Sequence, residues 1–279
     1  MKKIINQVLP LAYGTYFNIL ATIAPRKSAV KAFYLFCTPR KGKVLPHQID
    51  FLERAKAEKL AVNDLDIQTY RWLGQGPTVL LMHGWESNAF RWRNLIEKLQ
   101  QANFNIIAFD APAHGHSSGT VLNVPVYTAC TNTLIELLQP DAIIGHSIGG
   151  MTALYSQHQQ PNTKIKKVVS LGAPSDLKDI ISNYQNLLKF NNRVLEALNL
   201  FFIEKFNFGI NEFSIAQFAQ NISKEGLIVH DEEDAIAPFS AAEKIHANWK
   251  NSILLPTKGL GHSLHQDTVN DKVIAFLQS

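Results

Sequence analysis

Short apolar runs separated by longer amphipathic stretches set the pattern over most of the chain. Runs at residues 78–82, 104–109, 141–144, 167–171, 227–229 and 252–255 are each the length of a buried strand. Residues 67–73 alternate apolar and polar positions and end at Gly74-Gln75-Gly76-Pro77, which predicts a further strand closed by a turn. Helical spacing at residues 90–101, 126–138 and 266–277 falls between or after these runs. Strand and helix in alternation predict an α/β fold, a mainly parallel central sheet flanked by helices. A helix is also expected over residues 48–60.

The N-terminal stretch follows a different pattern. Ile4, Ile5, Val8, Leu9, Ala12, Tyr16, Ile19, Leu20 and Ile23 recur at helical spacing, while Gln7, Gly14, Asn18 and Thr22 gather opposite them. The polar interruptions, Pro10 and Gly14 suit neither a spanning helix nor a clean signal core. The spacing predicts an amphipathic helix that can restart at Pro10. A second helix is expected over residues 29–37, capped by Ser28 and stopped before Thr38-Pro39, with an exposed loop at 40–43.

Charge sharpens this division. Lys2, Lys3, Arg26, Lys27, Lys31, Arg40, Lys41 and Lys43 give residues 1–49 a formal +8 with no acidic residue, so in a chain of net +4 the remainder carries −4. The expected organisation is a basic helical arm at 1–64 and a catalytic domain at 65–279. The net charge is too small to imply a nucleic-acid partner. Two readings of the arm stand: it packs on the protein's own surface, or residues 1–45 attach peripherally to an anionic membrane. With 46% hydrophobic and 18% charged residues the 279-residue chain has a globular composition. Two cysteines, Cys37 and Cys130, provide no disulfide framework and fit a reducing, cytoplasmic setting.

The chemical signal is Gly145-His146-Ser147-Ile148-Gly149, directly after an apolar strand and before a helical stretch. Such a turn holds a serine in a strained conformation, and small neighbours relieve the crowding. An activated serine needs a base, and the base an orienting acid. Candidates for both follow later strands: His230-Asp231-Glu232-Glu233-Asp234 with Pro238, then Gly259-Leu260-Gly261-His262-Ser263.

With His83-Gly84-Trp85 and Phe109-Asp110 through His114-Gly115-His116-Ser117 added, residues 65–279 resemble the small serine hydrolases of the α/β-hydrolase fold superfamily. The resemblance implies Ser147 as nucleophile, Asp234 as acid and His262 as base. It implies the backbone N–H groups of Trp85 and Ile148 as oxyanion donors, and no cofactor. The family writes its acid loop His-Gly-x-x-Asp-x-x-x-Pro. Here Asp231 replaces the glycine, so it is a decoy or a helper. Ala113 stands where many relatives carry glycine.

Relatives also carry a helical cap where this chain has residues 175–225, rich in aromatic side chains. Most of these serve packing, and Phe201, Phe202 and Phe206, with His146, are the candidates for substrate contact. His83, His114, His116, His146 and His230 are numerous, but none has zinc-ligand spacing, and no metal is expected. The expected activity is hydrolysis of a small, fairly apolar ester, thioester or amide through an acyl-enzyme on Ser147. Carbon–carbon bond hydrolysis and peptidase activity use the same residues, and a binding or membrane-associated module without turnover is the alternative from another class. Oligomeric state is not legible.

Overall fold

A computed structural model of the chain describes residues 2–279, with side chains from Val8 onward, so the expected roles of Lys2, Lys3, Ile4, Ile5 and Gln7 lie outside the described side chains. The chain opens with helices α1 (Lys2–Ile23), α2 (Pro25–Cys37) and α3 (Pro46–Leu52), then strands β1 (Lys56–Val62), β2 (Leu65–Trp72) and β3 (Thr78–Met82). Next come α4 (Arg93–Gln101), β4 (Asn105–Phe109), α5 (Val124–Leu138), β5 (Ala142–His146), α6 (Ile148–Gln159) and β6 (Lys167–Leu171). Helices α7 (Leu177–Leu188), α8 (Asn192–Phe206) and α9 (Ile215–Phe218) precede β7 (Glu225–Asp231), α10 (Ser240–Asn248), β8 (Ser252–Thr257) and α11 (Asp267–Gln278). Two compact units emerge: one joins α1 and α2 to residues 176–214, and the other comprises Pro39–Ser175 and Ile215–Ser279.

The larger unit is built on an eight-stranded sheet in the order β1-β2-β4-β3-β5-β6-β7-β8. Strands β3 to β8 run parallel, and β1 and β2 join antiparallel at one edge. The chain passes from β4 across β3 to β5, and at such a reversal the loops beyond the strand ends diverge and leave a crevice. Alternate strand residues Val79, Leu81, Ile106, Ala108, Ile144, Val169, Leu227 and Val229 form a buried layer with Leu95, Ile96 and Leu99 of α4 and Val269 and Val273 of α11. Each such Val, Leu or Ile side chain contributes about 1.5–3 kcal/mol when fully removed from water. The opposite sheet face carries α5 and α6, with α9 and α10 continuing the layer.

At one place the larger unit departs from its sequence pattern. Residues 48–60 are not one helix: α3 stops at Leu52, and β1 follows in an antiparallel hairpin with β2. Only Val62 of β1 is buried, so this edge strand lacks the alternation that marks a half-buried one. Its Lys56, Glu58 and Lys59 are the charges that protect sheet edges from pairing. The readable signal is the turn, where Asn63 and Asp64 adopt φ of 47° and 64° as a two-residue hairpin loop requires.

In the smaller unit, α1 runs unbroken through Pro10 and packs beside α2, α7 and α8. Its inward residues are Gly14, Phe17 and Ala21. A Cβ on Gly14 would lie 1.7 Å from the Leu188 carbonyl oxygen, so only glycine permits this approach. Asn18 fixes the register: its Oδ1 accepts the Asn191 N–H at 2.7 Å, and its Nδ2 donates to the Lys189 carbonyl at 3.3 Å. α2 starts at Pro25 rather than near Ala29, which leaves Ser28 inside the helix, its Oγ donating to the Phe17 carbonyl. Phe33 of α2 lies against Phe201, Phe202 and Phe206 of α8, with ring centroids 5.1, 5.6 and 5.8 Å away. The Tyr184 hydroxyl donates to the Ala32 carbonyl. The chain leaves for residues 176–214 and returns at one point, where the Ile215 N–H donates to the Ser175 carbonyl and Asp176 bridges Ser214.

Replacing Gly14 by alanine is expected to cost about 1–3 kcal/mol of local stability through overpacking. Hydrogen exchange should show protection lost in α1 and α7, and Thr15→Ala, on the exposed side of α1, should leave that protection intact.

Candidate active site

Ser147 sits between β5 and α6 with φ 54° and ψ −122°. That conformation is costly for a non-glycine residue and survives only where the surroundings impose it. The neighbouring glycines show what imposes it. A Cβ at Gly145 would lie 2.3 Å from the Gly149 carbonyl oxygen, and one at Gly149 would lie 2.3 Å from that of Met82. The chain after β3 also comes close, because a Cβ at Gly84 would lie 2.8 Å from His146 Nδ1 and 3.1 Å from the Cβ of Ser147. The Ser147 N–H donates to the Leu171 carbonyl, and its own carbonyl accepts from Met151 to start α6.

Three side chains form a hydrogen-bonded sequence. His262 Nε2 lies 3.0 Å from Ser147 Oγ, and His262 Nδ1 lies 2.7 Å from Asp234 Oδ2. The Asp234 side chain is fully buried, and its Oδ1 accepts the N–H groups of Ile236 and Ala237. With that carboxylate on Nδ1, the ring presents an unprotonated Nε2 to the serine hydroxyl.

Asp231 is also buried but does not reach His262. Its Oδ2 accepts from Thr257 Oγ1 at 2.8 Å and the Leu260 N–H at 2.9 Å, and its Oδ1 accepts the Glu233 N–H at 3.0 Å. Burial alone would raise its pKa, but these donors outweigh that and hold the carboxyl below its usual range. Asp231 therefore ties the end of β8 and the loop leading to His262 to the end of β7, where a glycine could not. The same loop is held at two further points. His146 Nε2 donates to the His262 carbonyl at 2.8 Å, and Arg91 donates to the Ser263 carbonyl at 2.5 Å. His146, singled out in the sequence as a substrate contact, is buried with its ring centroid 4.9 Å from that of His262. Its link to the His262 backbone, like that of Arg91 to Ser263, depends on loops meeting more than 100 residues apart, and no local sequence signal announces either.

The loop after β3 is ordered by buried imidazoles. His83 donates from Nδ1 to the Gly84 carbonyl and accepts the Ala111 N–H at Nε2, using both nitrogens of the neutral ring. Burial, reinforced by nearby His114, lowers its pKa to about 3. His114 accepts the Glu86 N–H, and the next loop turns at Ala113 with φ 67°, a left-handed value that glycine would adopt without strain. Trp85 follows Gly84 on this loop, with its ring centroid 5.7 Å from that of His114. Ile148 opens α6, so its N–H belongs to the first turn, where N–H groups have no intrahelical acceptor. Asp110 accepts from Ala89, His116 and Tyr70, bracing the loops around the site. Among the described residues no three His, Cys, Asp or Glu side chains converge as a metal-binding group.

The sheet order, the parallel strands and the tight turn at Ser147 identify the architecture. This is an α/β-hydrolase fold. A family model described as alpha/beta hydrolase fold matches residues 77–207, a stretch that contains Ser147 and ends before Asp234 and His262. The chain is 25% identical over 159 residues to a pimeloyl-acyl-carrier-protein methyl ester esterase of Nitrosospira multiformis, covering 55% of this chain and 51% of that protein. It is 31% identical over 112 residues to the enzyme of that name from Vibrio vulnificus, covering 40% and 42%. The chain thus spans about half the length of these curated relatives or less. A solved esterase from Exiguobacterium antarcticum superposes with TM-score 0.63 at 19% identity, covering 80% of this chain and all of that one.

Burial also forces His146 neutral, well below its ordinary pKa. His146 and His83 both bind a proton more readily when unfolded, so stability is full above the unfolded histidine pKa of about 6.5 and falls as pH drops below it. Each should remove about 1.4 kcal/mol per pH unit once its unfolded form is protonated, down towards pH 3 for His83. Urea unfolding at pH 7 and pH 5 measures this. His83→Gln should take about 1.4 kcal/mol per pH unit out of that slope and leave the share of His146 and of the other imidazoles held below their ordinary pKa, His114 and His230 among them; an unchanged slope would refute the assignment.

Proposed function

We propose that this α/β-hydrolase-fold protein is a serine hydrolase that cleaves a small, fairly apolar ester, thioester or amide through an acyl-enzyme on Ser147. One observation carries the reading, the hydrogen-bond sequence from Asp234 through His262 to Ser147.

In this mechanism Ser147 Oγ attacks the acyl carbon while its proton passes to His262 Nε2, and Asp234 stabilises the resulting imidazolium. The N–H groups of Ile148 and Trp85 take the charge that develops on the acyl oxygen. Collapse breaks the bond to the leaving group, which receives the proton from Nε2. Water then attacks the acyl-enzyme, gives its proton to the same nitrogen and releases the carboxylic acid as Ser147 Oγ is reprotonated. Asp231, His146 and Arg91 contribute by holding the His262 loop, so that Nε2 is already aligned before substrate arrives. The two curated relatives named as methyl ester esterases support an oxygen ester of an acyl chain as the first substrate class to test. Buried Cys37 and Cys130 support the reading of a reducing compartment.

Intact-protein mass after fluorophosphonate treatment should show one adduct on the parent and none on Ser147→Ala. Against p-nitrophenyl acyl esters, Ser147→Ala should lower kcat about 10⁶-fold and Asp234→Asn about 10⁴-fold. A folded parent that takes no adduct and turns over no ester would leave a binding module as the better reading.

Asp231→Asn is expected to lower kcat about ten-fold or more with little change in KM, because it perturbs alignment rather than substrate contact. Steady-state kinetics at fixed pH provides the check, and a change confined to KM would overturn this role.

A further inference from the structure

Apart from Phe17, the face that α1 turns inward is made of small and polar residues. Gly14, Phe17, Asn18 and Ala21 meet the rest of the smaller unit. At 100° per residue the opposite arc holds Val8, Ala12, Tyr16, Ile19 and Ile23, with Leu9 at its margin. These positions are exposed, Ile19 by 64% and Ile23 by 82% of their surface. One helix therefore carries a packed face and an uncovered one. It packs on its own protein through the face that looked suited to water, and it leaves outward the face that looked suited to a core.

Two observations bear on what covers such a ridge. From Ile4 to Ala24 the chain carries no charge, and the cations begin immediately beyond it. Lys27 and Lys31 are exposed on α2, and the Lys31 ammonium stands 5.9 Å from the centre of the Tyr16 ring. Arg26 is occupied by Glu204, which leaves no unpaired acid from this contact beside the lysines. An apolar ridge edged by lysines on long aliphatic stems complements acyl chains beneath anionic headgroups. A second copy of the chain suits it less, because a two-fold contact through this ridge would bring its own lysine rim near itself. No described helix is long and apolar enough to cross a membrane, and the inward face of α1 is already in use, so the helix would lie in the plane of the surface.

We propose that the outward face of α1, edged by Lys27 and Lys31, is a docking surface for an anionic lipid bilayer. It stands independently of the catalytic reading. The full chain is mixed with sedimentable unilamellar vesicles of phosphatidylglycerol and phosphatidylcholine in equal parts, and with vesicles of phosphatidylcholine alone.

The parent should partition to the anionic vesicles about ten-fold or more better than to the neutral ones, and Ile19→Glu/Ile23→Glu should lose about ten-fold or more of that binding. Lys27→Glu/Lys31→Glu should lose at least about five-fold per lysine. Both variants should keep the parent's thermal unfolding midpoint and rate of fluorophosphonate labelling or ester turnover, if the parent shows either. No partition by the parent, equal partition to both vesicle types, or unchanged binding by Ile19→Glu/Ile23→Glu would overturn the proposal. So would a concentration-dependent dimer, seen by sedimentation velocity, that the same variant abolishes, because it would assign the ridge to a second copy.

Discussion

Main chains meet around Ser147 with no space for a methyl group. A carbonyl of the β3 end presses on Gly149, and the turn itself presses on Gly145. Gly84 lies within the same contact. This crowding holds the left-handed backbone of Ser147 in place, and it exists because β3 and β5 are adjacent, parallel and in register at their carboxyl ends, Met82 beside Gly145. Every other part of the site is arranged around that fixed point. Two later strand ends supply Asp234 and His262, and three independent ties hold the His262 loop.

The chain announced much of this. Three-residue and longer apolar runs located all the parallel strands; β3 to β7 are buried on both faces and need no alternation to be visible, while the edge strand β8 shows its run Ile253-Leu254-Leu255 without burying it fully. The Ser147 turn was legible because glycine at 145 and 149 answers a steric demand local to the turn. Asp234 and Asp231 were separable only by analogy in the sequence. In the structure the distinction is physical: one carboxylate spends an oxygen on His262, and the other spends both on the chain around it.

What stayed hidden shares a cause. The edge strand β1 has one buried residue, so its hydrophobic pattern is silent. α1 shows a clear amphipathic pattern, but pattern alone does not say which side meets protein. Close approach at Gly14 and two hydrogen bonds from Asn18 decided in favour of the polar side. The Phe33 cluster and the tie between His146 and His262 likewise join residues separated by more than a hundred positions. Periodicity reports an element's own faces, not the partner that a distant segment provides.

The smaller unit is discontinuous, and that has a consequence in time. Asn18 finds its partners at Lys189 and Asn191, 171 and 173 residues further along. At roughly 5–20 residues per second, a ribosome needs about 10–35 s to deliver them after α1 has been made. Throughout that interval the nascent α1 has neither face covered by α7 or α8. Whatever the outward face of α1 meets during that interval, it meets before its inward face is assembled into the folded protein.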